Sequence, residues 1–130
     1  VVVLLVDTAN VVGSRPDGWW RDRAGATSRL LRRLAPLAGH ELPAPGGGTV
    51  VCDEVVAVVE GAARGVDALD GVTLVRAVGS GDDALAGYAA RLAAEAREQL
   101  VVTADRGLRA RLPDGVPITG PGWLLDLLPA

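Results

Sequence analysis

Five acids and one amide stand where apolar runs of the chain give out. Asp7 closes "VVVLLVD", and Asn10 follows three residues later; Glu60 closes "TVVCDEVVAVVE"; Asp82 and Asp83 open an Ala-rich stretch after "GVTLVRAV"; Asp105 follows "LVVTA". Carboxylates brought close together repel, so a cluster of them is stable only when protons or cations compensate. Hard divalent metals do this: Mg²⁺ prefers oxygen ligands, keeps several waters, and is typically held by one or two carboxylates plus substrate phosphates. Two such ions can stabilise both the attacking and the leaving oxygen of a phosphodiester displacement. Each acid also has a plain structural reading. Asp7 and Asn10 suit a turn, Ser80 with Asp83 suits a capping box at a helix start, and Asp105 suits a helix start. Glu60, before Gly61, suits a solvated strand end and is the most readily structural of the five.

The elements that must carry these groups follow from periodicity. Val1–Asp7 is a continuous apolar run rich in β-branched residues, the pattern of a strand buried on both faces. Trp19, Trp20, Leu30, Leu31, Leu34 and Leu37 recur at helical spacing and predict a helix near 19–38. His40–Gly48, with two prolines and three consecutive glycines, reads as a loop. Thr49–Glu60, Gly71–Val78, Leu100–Thr103 and Val116–Thr119 read as strands. Asp82–Gln99, a short stretch to about Leu112 and Gly122–Leu128 read as helices. Strands alternating with helices imply an α/β domain with right-handed crossovers and a mainly parallel central sheet flanked by helices on both faces. In such sheets functional groups gather outside the carboxyl ends of the strands, which sends all five acids to one edge.

Composition narrows the chemistry. At 130 residues and 49% hydrophobic content, a single domain spanning 1–130 is expected. A net charge of −3 excludes nucleic-acid binding by bulk positive charge, so any such binding needs a local basic face or a bridging metal. All 13 basic residues are Arg, which removes every mechanism that needs a lysine. The single Cys52 cannot form an intramolecular disulfide, there is no Cys/His cluster for zinc, and His40 has no assigned role. No run approaches the ~20 apolar residues of a membrane span, and a cytoplasmic protein with no membrane partner is expected.

"VDTANVVGS", "GSGDDALAGYAARLA" and "VVTADRGLRARL", in this order and spacing, resemble the PIN-like nuclease superfamily, especially its NYN branch, across nearly the whole chain. The resemblance implies a Rossmann-like PIN-type fold and an Mg²⁺- or Mn²⁺-dependent endoribonuclease. Asp7 resembles the first metal-binding acid with Asn10 the amide near it. Asp82 and Asp83 compete for the helix acid, with Asp82 preferred, and Asp105 resembles the final acid. Glu60 stands where related domains often carry an acid, although "VVEGAARG" is a looser match. The implied chemistry is attack of a metal-activated water on phosphorus. Arg15, Trp19, Trp20 and Arg21 follow the first strand and are candidates to meet phosphates and stack on bases, with Arg64, Arg106 and Arg109 as further phosphate candidates. The expected partner is RNA, single-stranded or structured, with specificity supplied by a partner or by homodimerisation.

Rival α/β chemistries lack their groups. A phosphoacceptor receiver needs a lysine, a haloacid-dehalogenase-type phosphatase needs an acid where Ala9 stands, and "GSGDD" is neither a P-loop nor a dinucleotide fingerprint. Two alternatives stay open: a metal-dependent phosphohydrolase of free nucleotides, and an RNA-binding or scaffold protein with a weakened site.

Overall fold

A computed structural model describes residues 1–128. The chain runs β1 (Val2–Asp7), α1 (Thr8–Gly13), α2 (Arg23–Leu34), β2 (Glu41–Pro43), β3 (Thr49–Val59), β4 (Val72–Arg76), α3 (Gly81–Ala94), β5 (Gln99–Val102), α4 (Arg106–Arg109), β6 (Ile118–Thr119) and α5 (Pro121–Leu127). The segment expected as one helix over 19–38 divides. A 3-10 turn at Trp19–Arg21 precedes α2, whose first turn is capped by Asp22 accepting from Gly25 N at 2.9 Å. A second 3-10 turn, Ala35–Leu37, takes over where Pro36 denies the α-helix a backbone donor.

β1 lies between β3 and β5, parallel to both; β6 extends the sheet beyond β5, and β4 pairs in parallel with β3. β2 breaks the pattern. Glu41–Pro43 pairs antiparallel with Thr49–Val51 through a glycine-rich hairpin, inside the segment expected to be loop. The expectation of a Rossmann-like, mainly parallel sheet is therefore corrected: the sheet is mixed and strongly curled, a half-barrel.

The physical cause lies in β3. At 11 residues it is longer than any neighbour, so its edge away from β1 carries β2 along Thr49–Val51 and β4 along Val55–Val59, end to end. The register against β1 also slips, Val2 facing Cys52 but Val3 facing Glu54, which leaves Asp53 as the extra residue of a bulge. A bulge bends its strand and increases local twist. It also explains why Cys52 and Val55, an odd number of positions apart, enter the same core.

Beyond the bulge the strands alternate regularly, as successive side chains point to opposite faces. One face sends Leu4, Val6, Val55, Ala57, Val59, Leu100 and Val102 against Val11 of α1, Leu30, Leu31 and Leu34 of α2 and Leu124 of α5. The other sends Val3, Leu5, Val56, Val58 and Val101 against Leu85, Ala89 and Leu92 of α3 and Leu108 of α4. Among the described residues no helix is long and apolar enough to cross a membrane.

Candidate functional site

The carboxyl ends of β1, β3 and β5 and the start of α3 carry the acids, and Asp7, Glu60 and Asp105 are each positioned by a backbone N–H from which they accept. Asp7 ends β1 and is the N-cap of α1; its Oδ1 accepts from Asn10 N at 3.4 Å. Its Oδ2 accepts from the Thr103 hydroxyl at 2.8 Å. Thr103 is wholly buried at the end of β5, and its Oγ1 in turn accepts from Asp105 N at 3.1 Å. Asp105 caps α4, accepting from Leu108 N at 2.9 Å. Thr103 thus ties the first and last acids through one hydroxyl. Asn10 supplies a second tie, its Oδ1 accepting from Ala104 N at 2.8 Å, so its role here is to fix the segment before Asp105.

Glu60 reaches from the end of β3 to accept from Gly81 N, the first residue of α3. Glycine at 81 admits this close approach: a Cβ there would stand 2.5 Å from a Glu60 carboxylate oxygen, and the Glu60 side chain would have to shift. Asp82 follows at the next position. Asp83 turns outward, its exposed carboxylate paired with Arg111 at 2.7 Å, while its backbone N–H is capped by Ser80 Oγ at 3.3 Å.

The electrostatics record which acids sense one another. Burial raises the Asp7 carboxyl above the ordinary Asp value; bonds from Thr103 and Asn10 oppose this, while the charges of Asp82 and Glu60 add to it. Asp82 is also raised, by desolvation first and then by Asp105 and Glu60, with Arg111 opposing. Asp7, Glu60, Asp82 and Asp105 therefore form one electrostatic group.

They do not form a closed cage: among the described residues, no three His, Cys, Asp or Glu side chains stand close enough to share an ion. The donors are all carboxylate oxygens, and each N-capping acid has only part of its acceptor capacity in use. That chemistry fits a hydrated divalent cation held by one or two carboxylates, with water or phosphate completing its shell. It does not fit an all-protein site.

The cationic and aromatic candidates scatter more widely. Arg106 follows Asp105 directly and is exposed, as is Arg109. Arg64 is exposed after β3, and its carbonyl accepts from Arg76 Nη1 at 2.6 Å. Arg21 lies 6.0 Å from the Trp20 ring centroid, and Trp20 is 55% exposed. Trp19 is half-buried, edge-on to Trp20, with the Arg23 guanidinium 5.2 Å from its ring centroid. Arg15 faces a different hollow, shared with Asp17 and Arg29.

Two residues at the site escaped the reading of the sequence. Thr103 carried a faint signal, a hydroxyl ending an apolar strand two residues before an acid. Arg111 carried none, since its pairing with Asp83 spans 28 positions and depends on how α3 and the segment after α4 pack.

No protein-family model matches the chain, and no curated protein matches it. Among solved structures, Rae1 (YacP) from Bacillus subtilis superposes with a TM-score of 0.67 at 19% identity, over 97% of this chain and 74% of that one. At this identity the likeness is one of fold.

Proposed function

We propose that the chain is a divalent-metal-dependent endoribonuclease akin to the NYN branch of the PIN-like nucleases. The observation that carries this reading is the convergence of Asp7, Glu60, Asp82 and Asp105 from separate strand ends into one electrostatic group, with Asp7 and Asp105 tied through Thr103. The three motifs that resemble the NYN nucleases support it from the sequence, independently of the form of the sheet. Asp7, Glu60, Asp82 and Asp105 are the acids from which one or two would hold Mg²⁺ or Mn²⁺, with water and substrate phosphate completing the shell. When bound, the ion supplies charge neutralisation and Lewis-acid activation. The chain itself orients: Thr103 and Asn10 fix the relative positions of Asp7 and the Asp105 segment, and exposed Arg106 offers a phosphate contact beside Asp105.

The test is substitution that removes charge but keeps the caps. Asn caps helices about as well as Asp, so Asp7→Asn and Asp105→Asn retain the fold. Each is expected to abolish Mn²⁺-dependent cleavage of single-stranded RNA, with circular dichroism unchanged. Undiminished turnover in both variants refutes the reading.

One observation favours a second reading: the acids stand too far apart to close on an ion unaided. An RNA-binding scaffold with a weakened site has this property. Calorimetric titration with Mn²⁺ separates the two, since the scaffold need show no binding at the cluster. Parallel assays on free nucleotides test the phosphohydrolase alternative.

A further inference from the structure

A hollow of about 140 Å³ opens beside the carboxylate group, lined by Thr8, Val12, Trp19, Arg23, Thr27 and Glu60 among others. Glu60 belongs to both places, lining the hollow while its charge acts on Asp7 and Asp82. Three features of the hollow ask for a ligand. Thr8 is 1% exposed, and its hydroxyl oxygen has no hydrogen-bond partner, an omission that native proteins seldom tolerate. The Arg23 guanidinium lies over the Trp19 ring, 5.2 Å from its centroid, and this stacked pair of planar groups is of the kind that a base extends. Glu60, whose carboxylate already accepts from Gly81 N, adds an anionic acceptor with capacity to spare to a lining that also carries Thr27 and Arg23.

We infer that this hollow is a subsite for one pyrimidine base of single-stranded RNA. Size favours the single ring, because the hollow's 140 Å³ is close to the roughly 150 Å³ that accommodates one benzene, and a purine's second fused ring would project through its open mouth. Polarity selects a nucleobase over a plain apolar group: a pyrimidine edge presents both N–H donors, which Glu60 can accept, and carbonyl oxygens, which Thr8 and Arg23 can meet. A base seated here brings the phosphodiester of the same nucleotide towards Asp7 and Asp82. That last placement rests on the ribonuclease reading, while binding of the base does not.

The experiment measures binding and cleavage separately, on the full chain. With chelator present, oligouridine, oligoadenosine and an abasic oligonucleotide of equal length are titrated against intrinsic Trp fluorescence. Oligouridine is expected to bind about 10-fold more tightly than the abasic strand, as one base stacked on an aromatic ring contributes, and more tightly than oligoadenosine. Ala9→Leu, which fills the hollow from its wall, is expected to abolish the preference. Thr8→Val, of nearly equal volume, is expected to reduce it several-fold. Equal affinity for oligouridine and the abasic strand, preference for oligoadenosine, or a preference that survives both substitutions overturns the subsite. Cleavage is then assayed with Mn²⁺. A chain that shows the preference but cleaves nothing defeats the ribonuclease reading and leaves the subsite standing; cleavage without the preference does the reverse.

Discussion

Thr103 holds Asp7 and Asp105 with one hydroxyl, donating to the first and accepting from the backbone of the second. Thr103→Val keeps the shape but leaves a buried carboxylate oxygen and a backbone N–H without partners, at a cost of about 1–3 kcal/mol. Because the lost bond opposed the rise of the Asp7 carboxyl, the variant should also move that group's titration further upward, readable by carboxyl NMR. The pH dependence follows from the raised groups. Asp7 and Asp82 keep their protons to higher pH in the folded chain than when unfolded. Below the ordinary carboxylate value both states are protonated and the contribution to stability is fully present. As pH rises through the raised folded values, the unfolded chain ionises first and stability is lost. The melting temperature of the metal-free native chain minus that of Asp7→Asn should therefore fall as pH rises above the ordinary Asp value of about 4. Mn²⁺ affinity should rise over the same range, because bound carboxylates must be deprotonated.

At the scale of elements, the start of α3 is the joint between fold and site. Gly81→Ala forces the Glu60 carboxylate to swing away from the N–H it caps. Alanine's better helix propensity contributes about 1 kcal/mol, against a bond to a charged group worth about 1.5–3 kcal/mol. A net loss on the order of 1 kcal/mol in urea unfolding is expected, together with weaker Mn²⁺ binding and a weaker base preference. β1, β5 and Val55–Val59 of β3 were legible as continuous apolar runs because each is covered on both faces. α3 was legible from Ser80 with Asp83 and its apolar spacing. β2 was not, being three residues long among prolines and glycines and depending on the overhang of β3. The bulge at Asp53 was equally hidden, since no local pattern in one strand reports the register of its partner. Those two features separate the mixed, curled sheet from the mainly parallel one expected.

For the whole molecule, the order of the segments along the chain sufficed to send the acids towards one edge, because strand ends in a parallel arrangement share a side. Distances between them were not legible, depending as they do on caps such as Thr103 to Asp7 that join positions 96 apart. Ion binding gives a global readout of that edge. At ten times its dissociation constant, Mn²⁺ should stabilise the chain by about 1.4 kcal/mol. That corresponds to a rise in melting temperature on the order of 3–6 °C at this size, absent in Asp7→Asn; no shift in the native chain counts against a metal site. The central place of β1 also governs how the chain is built in time. Its two neighbours are β3 and β5, and its pairing with Gln99–Val102 joins positions 96 apart, Val3 facing Gln99. Such long closures slow folding. On the ribosome, "VVLLVD" must wait for Gln99–Val102 to emerge before its second edge is covered. Until then it is a sticky β-branched segment, and the yield of folded protein depends on synthesis outrunning aggregation.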